Sequence, residues 1–357
     1  MTETRIDIVT SYPPETPSRR NLLQGVSQAD PSWTVHVHEV RKPQLPGESD
    51  LSSAVERGLL TLLFLWTGAK LRWRNDLLVV HKTLDTDLLE MRWGINVAET
   101  VFLSFENVVY APYDANYVHN PETAALLFER ADLVYATSKA IEREAETHTT
   151  RDRVAYIPPS VDTELFAPGR SRAREFDDDE LVLGWVGDIE AHEESLGLLV
   201  DALESVETDT ITVRFLYSGS EFPADLKRRL QETGVALDLV DPVPHDEVPA
   251  VMKSFDIGLA PMRDTEFNRG RSSTKVREYM ACGVPVIASD VGENPELIPD
   301  DGGFLVDGPT DWQDALETLS GPAVRREMGA NAREHVVENY SISVIAAEVR
   351  SRFQDLL

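Results

Sequence analysis

The sequence predicts an α/β protein of two tandem, Rossmann-like, doubly wound domains with a cleft between them. Three observations predict it. Short apolar runs of strand length alternate with helix-like stretches along the whole chain, the order that makes a parallel sheet with helices on both faces. The alternation breaks once, at Ile157-Pro158-Pro159-Ser160 and then at the polar segment 169–180, which ends in Asp177-Asp178-Asp179-Glu180. It then restarts, and a chain of 357 residues is long enough for two cores.

Each element follows from local pattern. In the first half, strands are expected at 6–10, 33–40, 77–81, 107–110, 133–137 and 154–157. Helices are expected at 19–29, 52–66, 121–130 and 139–147. After the linker, strands are expected at 181–186, 212–217, 237–240, 256–260, 285–289 and 303–306, with helices at 195–206, 223–233, 245–254 and 273–281. The resulting organisation is a first domain at 1–168, a linker at 169–180, a second domain at 181–338, and a terminal helix within 339–357 that can cross back to the first domain. Ligands of such sheets sit outside the carboxyl ends of the strands, and a cleft between two such domains is a natural ligand site. No Gly-x-Gly-x-x-Gly follows either first strand, and no Walker A, His-Glu-x-x-His or Gly-x-Ser-x-Gly sequence is present.

Charge narrows the choice of partners. The chain has 62 acidic and 34 basic residues, a net charge of −28, and only seven of its cations are lysines. Such acidity resembles proteins of a concentrated-salt cytoplasm, as in a halophilic archaeon, where screening shortens self-repulsion. It argues against a nucleic-acid partner, since no long basic stripe is present. Cys282 is the single cysteine, so no intrachain disulfide forms and a cysteine-based zinc site is not expected. The N-terminal residues carry no signal-peptide pattern, which leads to the expectation of a cytoplasmic protein. The run 58–68 is too short to span a bilayer, and Lys70, Arg72, Trp73 and Arg74 follow it. It reads as a core helix first, and as a peripheral contact with the cytoplasmic face of an anionic membrane second.

The densest chemistry lies in 267–296. A helix starting near Ser272 would place Arg271, Lys275 and Glu278 on one face, with Val276, Tyr279 and Met280 turned inward. Gly283 can stop that helix ahead of the buried run 284–288. Two cations and a carboxylate at a helix entrance suit a phosphorylated ligand that also carries hydroxyls. An exposed ion-pair face is the competing reading.

Several segments together resemble the GT-B glycosyltransferases, and more narrowly the retaining family 4 group. Lys275-Val276-Arg277-Glu278-Tyr279-Met280-Ala281-Cys282-Gly283-Val284-Pro285 is similar to that family's "K-x-x-E-Y-M-A-x-G-x-P" signature. Asp256-Ile257-Gly258-Leu259-Ala260-Pro261, Val291-Gly292-Glu293-Asn294-Pro295-Glu296 and the bridge Ile157–Pro168 resemble the segments around it. The resemblance covers nearly the whole chain, is strong over 256–296, and is weak before about residue 77. It implies that Glu278 holds the ribose of a nucleotide diphosphate sugar and that Arg271 and Lys275 neutralise the departing diphosphate. Gly187, His192, Gly219, Val243, Ser272 and Ser273 fall on the same nucleotide-sugar side. The resemblance implies no cofactor beyond the donor itself and no metal. Asp85-x-Asp87 is the nearest match to a metal-binding pair and reads as a helix start.

Departures from the family pattern shape the rest. Where many relatives carry a second carboxylate, eight residues before the ribose Glu, this chain has Gly270. The loop Gly187-Asp188-Ile189-Glu190-Ala191-His192-Glu193-Glu194 is acidic where relatives often place a cation, and His192 is the one side chain in it able to donate to phosphate; otherwise it is a surface histidine. In the first domain Ser18 is expected to cap a helix, leaving Arg19 or Arg20 for a phosphate, or as solvated arginines. Asp114, in a loop resembling "Y-D-x-D-D-A", is a candidate contact for acceptor hydroxyls, or an Asx turn; Lys82, beside His81 at a strand end, is similarly placed. The expected activity is retaining transfer of a hexose to a glycan or lipid-linked acceptor. A sugar-nucleotide epimerase of the same fold, or a non-catalytic nucleotide-sugar-binding partner subunit, are the alternatives.

Overall fold

The structure is a computed structural model that describes residues 3–14, 16–40, 63, 66–71, 76–82, 105–119, 121–169, 180–204, 206, 210–219 and 221–357. The chain divides into two compact units. Unit 1 comprises Met1–Ser160, Gly270–Ser272 and Ile342–Leu357, and unit 2 comprises Val161–Arg269 and Ser273–Ser341.

Unit 1 is built on six parallel strands, β1 (Thr4–Thr10), β2 (Trp33–Glu39), β3 (Leu77–His81), β4 (Val108–Ala111), β5 (Leu133–Ala136) and β6 (Val154–Tyr156). They lie in the order β2-β1-β3-β4-β5-β6. The central strands are buried on both faces, which is why β3 reads as an unbroken apolar run until His81. Alternate residues serve opposite layers. Ile6, Ile8, Leu77 and Val79 pack with Leu22 and Val26 of α1 (Pro17–Ala29) and with Val349 and Phe353 of the chain's last helix, Ile342–Gln354. Val9, Leu78 and Val80 pack on the other side with Leu127 and Phe128 of α2 (Pro121–Arg130) and Ile141 of α3 (Lys139–His148). Arg350 of the last helix pairs with Asp30 at the end of α1, 3.0 Å apart.

Unit 2 repeats the architecture with β7 (Leu181–Asp188), β8 (Ile211–Ser218), β9 (Ala236–Val240), β10 (Ile257–Ala260), β11 (Val286–Ser289) and β12 (Gly303–Val306), in the order β12-β11-β10-β7-β8-β9. All pairings are parallel. Between them run α4 (Glu193–Leu203), α5 (Ala224–Glu232), α6 (Val248–Met252), α7 (Glu266–Arg269), α8 (Thr274–Ala281), α9 (Asn294–Leu297), α10 (Pro309–Leu319) and α11 (Pro322–Tyr340). Close approach fixes two glycines here: a Cβ on Gly184 would lie 2.0 Å from the Phe255 ring, and one on Gly258 would lie 2.6 Å from the Tyr279 ring.

Each sheet has one topological switch point, where strand order reverses and a crevice opens at the carboxyl ends. It falls between β1 and β3 in unit 1 and between β7 and β10 in unit 2. The two α/β sheets match the doubly wound fold expected from sequence. Local details differ. The helix expected near Ser272 starts at Thr274, with Ser273 as its N-cap. The cap of α1 is Thr16, without a side-chain cap bond, and Ser18 lies inside the helix. Pro17 explains the shift, because its missing N–H is harmless in the first turn. Most of the expected helix 52–66, residues 170–179 of the linker, and Asp85 and Asp87 lie outside the described residues.

Candidate functional site

In unit 2 the end of β7 places Trp185 and Gly187 beside α8. Trp185 is fully buried, and the Lys275 Nζ stands 4.4 Å from the centre of its ring. A Cβ on Gly187 would meet that ammonium at 2.9 Å and the Trp185 ring at 3.0 Å, so only glycine leaves the space open. Glu278 follows Lys275 by one helical turn and is buried. The pair shares a face by the i,i+3 relation. Arg271 does not join that face, since it precedes the first helical residue and belongs with unit 1, as does Ser272. The three-residue face read from the i, i+4, i+7 spacing is therefore corrected to Lys275 and Glu278 alone.

The start of α8 is held by a chain of short polar contacts. The Ser273 hydroxyl donates to the Asn294 side-chain oxygen, the Asn294 amide donates to the Ser289 carbonyl at 2.8 Å, and the Ser289 hydroxyl accepts from the Met262 N–H at 2.9 Å. Ser273 thus spends its hydroxyl within the protein. The body of α8 is anchored twice more: the Val186 N–H donates to the Tyr279 hydroxyl at 2.8 Å, and Arg277 pairs with Glu293 at 2.7 Å with both side chains sealed from solvent. These anchors surround Lys275 and Glu278 and fix where the helix presents them.

The acidic loop after β7 is organised internally. The Asp188 carboxylate accepts the Ala191 N–H at 3.0 Å, and the His192 Nδ1–H donates to the Asp188 carbonyl at 2.8 Å. The buried His192 ring meets Trp185 edge-on at 5.5 Å. With Nδ1 carrying that proton, Nε2 donates only when the ring is charged. Sequence reading missed a cation here: Arg263, in the loop after β10, donates through Nε to the Glu194 carbonyl at 3.1 Å, and its N–H reaches the Ser195 hydroxyl at 3.2 Å. The signal was topological, since β10 neighbours β7 at the switch point. Gly219 adjoins the same loop, where a Cβ would lie 3.0 Å from Ile189. Val243 follows the edge strand β9 and is half-buried.

In unit 1 the polar centre lies at the ends of β1, β3 and β4. Thr10 and His81 are register partners, and the Thr10 hydroxyl bonds His81 Nδ1 at 2.9 Å. His81 is fully buried, and burial, with the nearby charges of Lys82 and Arg19, holds its pKa well below the usual value. Its Nε2 has no hydrogen-bond partner among the described residues. The Lys82 ammonium pairs with Asp114 at 2.5 Å and sits 4.3 Å from the centre of the Tyr12 ring. Lys82 (φ 60°) and Tyr113 (φ 67°) both adopt left-handed backbone. Such strain costs of order 1 kcal/mol or more per residue and clusters at functional sites. Arg19 donates to the Tyr12 carbonyl at 2.7 Å and pairs with Glu39 at 2.5 Å. Arg20 is half-buried and has an interaction of its own. Gly270 packs in this unit: a Cβ there would lie 2.4 Å from the Ala115 Cβ, and the Gly270 carbonyl accepts from the Ser138 hydroxyl at 3.1 Å. That crowding leaves no room for a larger side chain at this position.

Among the described residues no three His, Cys, Asp or Glu side chains converge as a metal site, and no helix is long and apolar enough to cross a membrane. Of the apolar run 58–68 only residues 63 and 66–68 are described; Trp66 is exposed, with the Lys70 ammonium 4.1 Å from the centre of its ring.

Known proteins resemble this chain in sequence and in fold. Residues 180–321 match the family model for glycosyl transferases group 1. A D-inositol 3-phosphate glycosyltransferase of Corynebacterium glutamicum (strain R) is 29% identical over 253 residues, 65% of this chain and 59% of that protein. The homologue of the same name from Corynebacterium efficiens is 30% identical over 223 residues, 57% of this chain and 51% of that protein. The matched part thus spans little more than half the length of these curated relatives. Among solved structures, a sucrose-phosphate synthase from Thermosynechococcus elongatus superposes with a TM-score of 0.76 at 18% identity, covering 99% of each chain. Anabaena Alr3699/HepE in complex with UDP and glucose superposes with a TM-score of 0.74 at 15% identity, covering 98% of this chain and 99% of that one. Those likenesses show the two-domain GT-B fold. The segment 180–321 that matches the group 1 glycosyltransferase family model is the one that carries Gly187, Lys275 and Glu278.

Proposed function

We propose that this chain transfers a hexose from a nucleotide diphosphate sugar to a glycan or lipid-linked acceptor, with retention of configuration and without a metal. The observation that carries the reading is the Lys275 ammonium, held 4.4 Å over the Trp185 ring against the open space at Gly187, with Glu278 one turn along the same helix. An ammonium fixed before reaction stabilises negative charge as it builds on a leaving diphosphate. A buried carboxylate suits the paired hydroxyls of a ribose. His192, Gly219 and Val243, also in unit 2, would add nucleotide-sugar contacts. On the acceptor side, Asp114 contacts a hydroxyl, with Lys82, Arg19 and Arg20 around it. Retention follows if the departing phosphate guides the incoming hydroxyl, which needs no enzyme nucleophile.

The net charge of −28 supports a protein that works in concentrated salt, as in a halophilic archaeon, in the cytoplasm. Exposed Trp66 beneath Lys70 supports a peripheral contact with an anionic membrane face. The test is thermal unfolding in molar KCl with UDP, GDP, TDP, ADP and their sugars, without added metal. A bound ligand raises the midpoint by mass action. One nucleotide is expected to raise it in the wild type and not in Glu278→Ala; no shift with any of them overturns the reading.

A further inference from the structure

The polar centre of unit 1 holds two ion pairs, and in each the carboxylate is more exposed than the cation. The Lys82 side chain is 8% exposed and lies between the Asp114 carboxylate and the Tyr12 ring, whereas Asp114 is 26% exposed. The Lys82 backbone is left-handed, and its N–H donates to the Ala111 carbonyl at 2.7 Å. Arg19 is likewise 9% exposed and paired with Glu39, which is 30% exposed. Beside them His81 is neutral at ordinary pH and keeps an unpartnered Nε2. In both ion pairs the carboxylate is the outer member and the cation the inner one.

We propose that unit 1 selects a neutral, hydroxyl-rich acceptor, a sugar or cyclitol, and that Asp114 is the residue that turns phosphorylated acceptors away. This rests on the transferase reading. A phosphate monoester carries about two negative charges at neutral pH. To reach Lys82 it would have to approach the Asp114 carboxylate, whose repulsion cancels the attraction of the ammonium. A hydroxyl meets no such cost: it donates to an Asp114 oxygen and adds no charge. The corynebacterial relatives are named for a phosphorylated cyclitol, so the inference distinguishes this chain from them.

The test pairs acceptors that differ only by phosphate, glucose with glucose 6-phosphate and myo-inositol with its monophosphate. Two readouts are used: nucleoside diphosphate release with the donor that shifts thermal unfolding, and binding of the sugar phosphate followed by phosphorus NMR. The neutral member is expected to show a kcat/KM about tenfold or more above its phosphorylated partner, the size of effect that like-charge juxtaposition produces. Asp114→Asn should cut that ratio about tenfold and tighten sugar-phosphate binding, while Asp114→Glu keeps the rejection and guards against a folding defect. Preference of the wild type for the phosphorylated member, or an unchanged ratio and unchanged phosphate binding in Asp114→Asn, overturns the proposal. Absence of nucleoside diphosphate release with every acceptor defeats the transferase reading instead. The NMR comparison of wild type with Asp114→Asn then still decides the charge argument.

Discussion

The two units use one architecture to set different side chains beside the cations at their strand ends. At the β1/β3 switch point of unit 1, Lys82 and Arg19 are each covered by a carboxylate and the histidine between them is neutral. At the β7/β10 switch point of unit 2, the Lys275 ammonium lies over the Trp185 indole, and a glycine, Gly187, stands beside it. A parallel sheet supplies the crevice in both cases, but the side chains at the strand ends decide what it holds. An ammonium over an indole face gains a cation–π contact, while one against a carboxylate gains an ion pair.

The contrast predicts graded outcomes. Lys275→Ala should lower transfer by about a hundred- to a thousandfold without changing the unfolding midpoint, as expected for a group aimed at charge that develops during reaction, and Glu278→Ala should lower it by removing the acceptor for the ribose hydroxyls. Wild-type rates in both, measured by nucleoside diphosphate release, would break the comparison at once. Next, Glu293→Ala leaves Arg277 without its buried ion-pair partner, which should cost about 3–5 kcal/mol of stability in denaturant unfolding. Part of that stability should return when Arg277→Leu is added, because two apolar replacements leave no buried charge. Gly270→Ala tests unit 1: the added Cβ would stand 2.4 Å from the Ala115 Cβ, and overpacking of this kind costs about 1–3 kcal/mol. A midpoint unchanged from wild type would show that the segment shifts freely.

The smallest effect concerns pH. The lowered pKa of His81 means that the unfolded chain takes up a proton below about 6.5 while the folded chain does not. Stability is therefore retained above that pH and lost as pH falls below it, by at most about 1.4 kcal/mol per pH unit from this group. In His81→Asn the acid side of the stability curve should be flatter than in wild type. An identical slope between pH 5 and 6.5 would mean that His81 is protonated in the fold, and that the centre of unit 1 is less neutral than its geometry indicates.

How much was legible in advance differs between the units for the same reasons. The helix of unit 2 announces itself, since Lys275 and Glu278 are one turn apart and Tyr279, Met280 and Gly283 mark its buried face and its end. Its start is Thr274 rather than the expected position near Ser272, so Arg271 lies ahead of the helix. The signal for Arg263 was weak, because a loop arginine gains its meaning from which strand its loop follows. In unit 1 Asp114 and Lys82 were both singled out, but nothing in a linear reading of positions 82 and 114 indicates a pair.

Apolar strand runs, helix periodicity and one break at 157–160 are local properties, so the sequence by itself determined two parallel sheets, most strand positions and the helix bearing Lys275 and Glu278. Only the tertiary structure decided strand order, the two switch points, the burial of His81 and the pairing of Lys82 with Asp114 and of Arg19 with Glu39. Those depend on which strand ends lie side by side, and backbone pairing between distant segments sets that neighbourhood.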